Sequence, residues 1–152
     1  IRAVRPDTRF AIVGRHPVKS VQALADLPGV IVTGGVPDVR GWLAAADVVV
    51  APLRIARGIQ NKVLEAMAMA RPVVASPQAA EGIDAADDTE FLIAANPAEE
   101  AAKVIALLAD PARAARIGLA GRARMEARYR WSATLAGLPD LLFGHDAGSQ
   151  AA

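Results

Sequence analysis

Gly58, Lys62 and Glu65 share one short run, Gly58-Ile59-Gln60-Asn61-Lys62-Val63-Leu64-Glu65, and their spacing suits an anion and a hydroxyl bound side by side. Val63, Ala66, Met67 and Ala70 recur at helical spacing and predict a helix over 59–70 with one apolar stripe. The first amides of a helix have no intrahelical acceptor and the macrodipole is positive there, so that end favours phosphate. Gly58 permits close backbone approach and leaves the amides of Ile59, Gln60 and Asn61 free to donate; an ordinary loop glycine is the alternative. Lys62 in the first turn opposes the dipole and is easier to understand with an anion present, the alternative being a surface lysine laid along the helix. Glu65 lies off the apolar stripe, and helical side chains lean toward the N-terminus, which aims its carboxylate at the same end. An ionised carboxylate only accepts hydrogen bonds and suits a vicinal diol such as ribose; a Lys62–Glu65 surface pair is the competing reading.

Other chemistry-bearing residues follow short apolar runs. Gly14, Arg15 and His16 offer a glycine, a cation and a hydroxyl donor. Gly34, Gly35 and Val36 would let a planar base lie against backbone, or simply form a tight turn. Arg54 and Arg57 flank the loop before the key helix and could neutralise a diphosphate. The chain has no GxGxxG or Walker loop, no paired carboxylates and no Ser-His-Asp set, so it does not read as a stand-alone hydrolase.

The elements that must position these residues alternate. Apolar runs ending in Gly or Pro predict parallel strands at 9–14, 30–34, 47–51, 73–75 and 90–94. Helices are expected at 18–27, with Val18, Val21, Leu24 and Leu27 on its buried face, and from the N-cap Asp38 to Ala46. The stretch 77–89 reads as loose, and helices follow over 98–109, 111–129 and 132–143, with a disordered tail at 144–152. The fold class is therefore α/β, a Rossmann-like parallel sheet of about five strands flanked by helices, with a helical C-terminal region. Ligands of such sheets sit beyond the carboxyl ends of the strands, where every candidate above falls.

Composition narrows the functions. A chain of 152 residues with 53% hydrophobic content fits one domain, and no apolar run reaches the length of a membrane span. A net charge of +1 and few aromatics argue against nucleic acid as a partner; the arginines between Arg113 and Arg130 read as the solvated face of a helix. No cysteine and two histidines leave no thiol chemistry and no expectation of a metal or other cofactor, and suit a cytoplasmic protein. The opening IRAVRPDTRF, without an initiator Met, reads as the tail of a helix entering a strand, as in a fragment of something longer.

Residues from about 9 to 131 resemble the C-terminal, donor-binding half of GT-B glycosyltransferases, specifically the retaining family 4 group. GVIVTGGVPDVRGWLAAADVVVAPL is similar to that family's strand, Gly-x-Val, helix, Ala-Asp and Pro-ended strand, and GIQNKVLEAMAMARPVVAS to its most diagnostic segment. EGI at 81–83 and LLADPARAARIGLAGRARMEARYRW at 107–131 follow in order. The variant ARGIQNKVLEAMAM is similar to a subgroup of sugar transferases linked to bacterial exopolysaccharide gene clusters.

The resemblance implies a donor domain over 1–130, lacking its first strand, that strand's loop and most of its first helix, and a crossover helix at 131–143 returning to an absent N-terminal acceptor domain. It implies a UDP- or GDP-sugar donor, a glycan or lipid-linked acceptor, and action at the inner face of the bacterial cytoplasmic membrane. Glu65 matches the second glutamate of the family's Glu, seven residues, Glu motif, which binds the donor ribose. Gly58 to Lys62 would meet the diphosphate and donor sugar, and Gly34 to Val36 would border the base. The first glutamate of the motif falls on Arg57, a departure; Arg57 and Lys62 are the expected catalytic residues, offsetting charge on the departing diphosphate. Two other readings compete: a sugar-nucleotide epimerase of the same architecture, and a degenerate non-catalytic module. The fragment alone is expected to be inactive.

Overall fold

The computed structural model describes residues 1–138 and Leu142. Among the described residues five strands form, β1 (Phe10–Val13), β2 (Val30–Gly34), β3 (Val49–Ala51), β4 (Val73–Ala75) and β5 (Leu92–Ile93), and every pairing among them is parallel. β2 and β4 fill their predicted runs, and β1, β3 and β5 lie within theirs, trimmed at the ends. They are divided between two sheets, β1-β2 and β3-β4-β5, instead of one. Among the described residues no ladder joins the pair to the triplet, so β1 and β3 each keep an unpaired edge.

The second sheet carries the core. Val73 and Ala75 of β4 face one side and Val74 the other, and all three are buried, as expected for a short β-branched strand covered on both faces. Helix α3 (Asn61–Ala68) covers the first side with Val63, Ala66 and Met67, joined by Phe91 and Ile83. Helix α5 (Pro97–Ala109) covers the other with Val104 and Leu107 against Val74 and Leu92. Helix α6 (Pro111–Arg128) closes the end, placing Ile117 in one cluster and Met125 in the other.

Close backbone approach seats α6. A Cβ on Gly121 would lie 2.6 Å from the carbonyl of Glu90, and one on Gly118 would strike the carbonyl of Ala70. Ala70 itself has a φ of +54° and ends the helical run, so it leaves the predicted apolar stripe of Val63, Ala66 and Met67.

The N-terminal sheet differs. None of residues 1–50 is buried. The predicted helix at 18–27 splits into α1 (Lys19–Gln22) and a 3₁₀ turn over Ala23–Asp26, and its apolar face is open, with Val18 64% and Leu27 53% exposed. The sequence pattern there is that of a buried face, but no second layer lies on it among the described residues. Helix α2 (Arg40–Ala45) is shorter than expected, and its N-cap position falls on Val39, which offers no side-chain cap; the expected cap Asp38 lies one residue earlier and accepts from the Arg40 amide at 2.8 Å.

Helix α4 (Pro77–Ala80) occupies part of the stretch expected to be loose, with Ser76 at its N-cap and proline in its first turn. The last expected helix, 132–143, begins as α7 (Trp131–Thr134) and is broken by a turn over 135–137, after which the described Leu138 and Leu142 are again helical. Most of its remainder, and the tail 144–152, lies outside the described residues. No described helix is long and apolar enough to cross a membrane.

Candidate functional site

The C-terminal ends of β1, β2 and β3 carry the candidate residues in two groups. The first joins the loops after β1 and β2. The Gly14 amide donates to the Gly34 carbonyl at 3.2 Å, and the Arg15 side chain runs over Gly35, whose added Cβ would lie 3.2 Å from Arg15 Cγ. His16 (φ +51°) and Gly34 (φ +69°) both adopt the left-handed region, so each loop turns sharply at its predicted position. Thr33 Oγ1 donates to the Gly34 carbonyl at 2.8 Å. Val36 is half-buried just beyond. The structure thus brings together Gly14, Arg15, His16, Gly34 and Gly35 around one corner.

The second group is the loop 52–60 and the start of α3. Gly58 has a φ of +65°, and a Cβ added there would meet nothing within 4 Å, so the turn stands open. Gln60 occupies the N-cap position, just outside the helix, and offers no side-chain cap. Its amide group instead donates inward, to the carbonyls of Gly58 at 3.0 Å and Arg57 at 3.3 Å, and stiffens the loop. Among the described residues the amides of Ile59, Asn61 and Lys62 meet no acceptor, whereas α4, α5 and α6 are all capped by side chains. The α3 start is therefore an unfilled donor set on a positive dipole.

Around it, Arg54, Arg57, Lys62 and Glu65 are exposed, and none makes a hydrogen bond or ion pair through its side chain among the described residues. The competing Lys62–Glu65 surface pair is not formed. Glu65 is free to accept from a ligand and lies on α3 opposite the buried stripe of Val63, Ala66 and Met67.

Sequence reasoning passed over Ser76. Its Oγ donates to the Leu53 carbonyl at 2.7 Å, accepts from the Ala79 amide at 3.2 Å, and so anchors the foot of the 53–58 loop to the end of β4. The signal was available, since a serine before proline after a strand is a helix N-cap. Arg71 likewise braces the base of β3, donating to the Ala46 carbonyl at 3.2 Å.

The chain has counterparts among known proteins. Residues 1–110 match the family model described as glycosyl transferases group 1. The chain is 32% identical to a GDP-mannose-dependent alpha-(1-6)-phosphatidylinositol monomannoside mannosyltransferase of Mycolicibacterium smegmatis, over 96% of this chain and 42% of that protein. It therefore spans under half the length of that relative. Among solved structures, the C-terminal domain of a group 1 family glycosyl transferase (LpcC) from Francisella tularensis superposes with a TM-score of 0.72 at 21% identity, over 86% of this chain and 74% of that one. Anabaena HepE in complex with UDP-glucose gives a TM-score of 0.68 at 19% identity, over 80% of this chain and 37% of that one.

Proposed function

Because the chain belongs to the group 1 glycosyl transferases, we propose that it is the nucleotide-sugar-binding half of a retaining, GT-B hexosyltransferase acting on a glycan or lipid-linked acceptor. The observation that carries this reading is the α3 start: open amides behind a left-handed Gly58, with Lys62 beside them and an unpaired Glu65 on the solvent side. Donor amides and Lys62 meet the diphosphate, and Glu65 accepts from the ribose hydroxyls. The corner formed by Gly14–His16 and Gly34–Val36 borders the base. HepE was solved with UDP-glucose and the mycobacterial relative is named GDP-mannose-dependent, which supports a uridine or guanosine diphosphate sugar as donor.

Chemistry follows from charge. As the sugar's bond to the diphosphate breaks, negative charge grows on the leaving oxygen, where the α3 amides, Lys62 and Arg57 stabilise it without a metal. The acceptor side belongs to a second domain preceding this one. A strand from that preceding chain, lying between the unpaired edges of β1 and β3, would join the two sheets and cover the open N-terminal half. The whole enzyme works in the bacterial cytoplasm at the membrane face, in exopolysaccharide assembly.

Titrating the full-length protein with UDP and GDP tests the reading. Saturable binding of one of them, and release of nucleoside diphosphate from its sugar conjugate dependent on a glycan acceptor, is the expected result. Absence of nucleotide binding would refute it, and binding without any acceptor-dependent turnover would leave a non-catalytic module.

A further inference from the structure

Ile59 carries one of the open amides at the α3 start, and its side chain lies against a distant turn. Gly82 sits in the left-handed region (φ +78°), and a Cβ added there would meet only Ile59 Cγ1 among the described residues, at 3.6 Å. The site loop therefore has a third support, beside Ser76 on Leu53 and Gln60 on Arg57 and Gly58. The residue after Gly82, Ile83, is buried in the cluster that holds Val63 and Met67 of α3. Asp84 is then tied to the end of α6, where its amide donates to the Tyr129 hydroxyl at 2.8 Å and its carboxylate accepts from Arg128 Nε. The Arg128 pair is exposed on both sides, so solvent screens it and it contributes little. Tyr129 differs, because its half-buried ring packs against the same cluster as Ile83 and fixes where the hydroxyl sits.

A packed ring alone would serve the core; the hydroxyl serves the turn at 82–84. Backbone donors bind an anion well when they are already in place, since ordering a loop on binding costs affinity. On the donor-site reading above, on which this inference rests, the Ile59 amide is one of those donors. We infer that Tyr129 is a positioning residue of the nucleotide site. Its hydroxyl holds Asp84, Asp84 keeps Gly82 in place, and Gly82 keeps Ile59 at the α3 start.

The test is calorimetric titration of the full-length protein with UDP and GDP, in Tyr129→Phe, Ile59→Ala and the double variant. Tyr129→Phe keeps the packed ring and Ile59→Ala keeps the amide, so thermal melts should show both folded. Each should weaken the nucleoside diphosphate that binds by about three- to tenfold, as for a loop left to order on binding. Because both act along one route, the double variant should lose no more than the larger single loss. Val104→Ala, in the cluster on the other side of β4, should lower the melt and leave affinity unchanged. Parent-like affinity in Tyr129→Phe overturns the inference. So does an equal loss of affinity in Val104→Ala, since affinity would then follow global stability. Losses that add in the double variant overturn the route through Ile59. A parent protein that binds neither nucleotide overturns the donor site, and this inference with it.

Discussion

Ser76 Oγ donates to the carbonyl of Leu53 at 2.7 Å, across 23 residues of sequence. The same residue's amide donates to the Ala51 carbonyl at 3.1 Å, and its hydroxyl caps α4. One side chain therefore ties the end of β4, a helix start and the foot of the site loop. Ser76→Ala should cost about 1–2 kcal/mol through the lost cap and the stranded Leu53 carbonyl. That corresponds to roughly 3–8 °C in a thermal melt. Nucleoside diphosphate affinity should fall as well, and Ser76→Thr should restore both. An unchanged melt and unchanged affinity in Ser76→Ala would show that the loop does not depend on this bond.

Gly121→Ala in α6 should also destabilise. Alanine gains about 1 kcal/mol over glycine in helix propensity. The new Cβ, however, would sit 2.6 Å from the Glu90 carbonyl, a backbone atom that cannot step aside without moving the chain before β5. Overpacking of this kind costs about 1–3 kcal/mol and should outweigh the gain. Chemical denaturation would detect it; a midpoint at or above that of the parent protein would contradict the close approach.

Glu90 binds Arg124 through both oxygens at 3.0 Å and accepts from the Ala86 amide at 2.7 Å, with only 14% of its side chain exposed. Glu90→Ala removes these contacts together. The loss should be about 1–3 kcal/mol, toward the lower end because the arginine reaches solvent. Arg124→Ala should cost less than Glu90→Ala, since it leaves the Ala86 amide satisfied, and denaturant melts of the two variants would rank them.

Burial pushes the Glu100 carboxyl above its ordinary value. A raised folded-state pKa means that the folded chain holds the proton more tightly than the unfolded one. The associated stability is then present below the ordinary carboxylate range and lost as pH rises through the folded value. Glu100→Gln should remove that dependence, so the variant gains relative to the parent on going from acid to neutral pH. Glu126 works in the opposite direction, held below its usual value by its hydrogen bond from Arg122 and by Arg130; its contribution is lost as pH falls. Melts of parent and Glu100→Gln from pH 4 to 7 would separate the two, and parallel curves would argue against a desolvated Glu100.

Much of this was legible in the sequence. The alternation of apolar runs with helical spacing located all five strands, and the Val63, Ala66, Met67 stripe placed Glu65 on the open side of α3. What escaped depended on distant partners. The division of the strands into two sheets cannot be read from runs that look equally buried, because edge pairing is decided by what lies alongside. The open face of Val18 and Leu27 has the same origin: periodicity says which side wants burial, not whether a layer arrives to bury it. Helix α4 was hidden by its length, although Ser76-Pro77 announced it. The role of Ser76 toward Leu53 spans two strands and has no local signature.

The central claim is that Glu65 reads the ribose of a nucleotide whose diphosphate sits on the α3 amides. The most direct test is a cycle between the Glu65→Ala variant and 2′-deoxy and 3′-deoxy forms of whichever nucleoside diphosphate binds. Glu65→Ala should weaken the parent nucleotide by about 10- to 100-fold, the loss expected for a hydrogen bond to a charged group. It should weaken the matching deoxynucleotide far less, because the partner hydroxyl is already gone. Equal losses on nucleotide and both deoxynucleotides would place Glu65 away from the ribose and contradict the account.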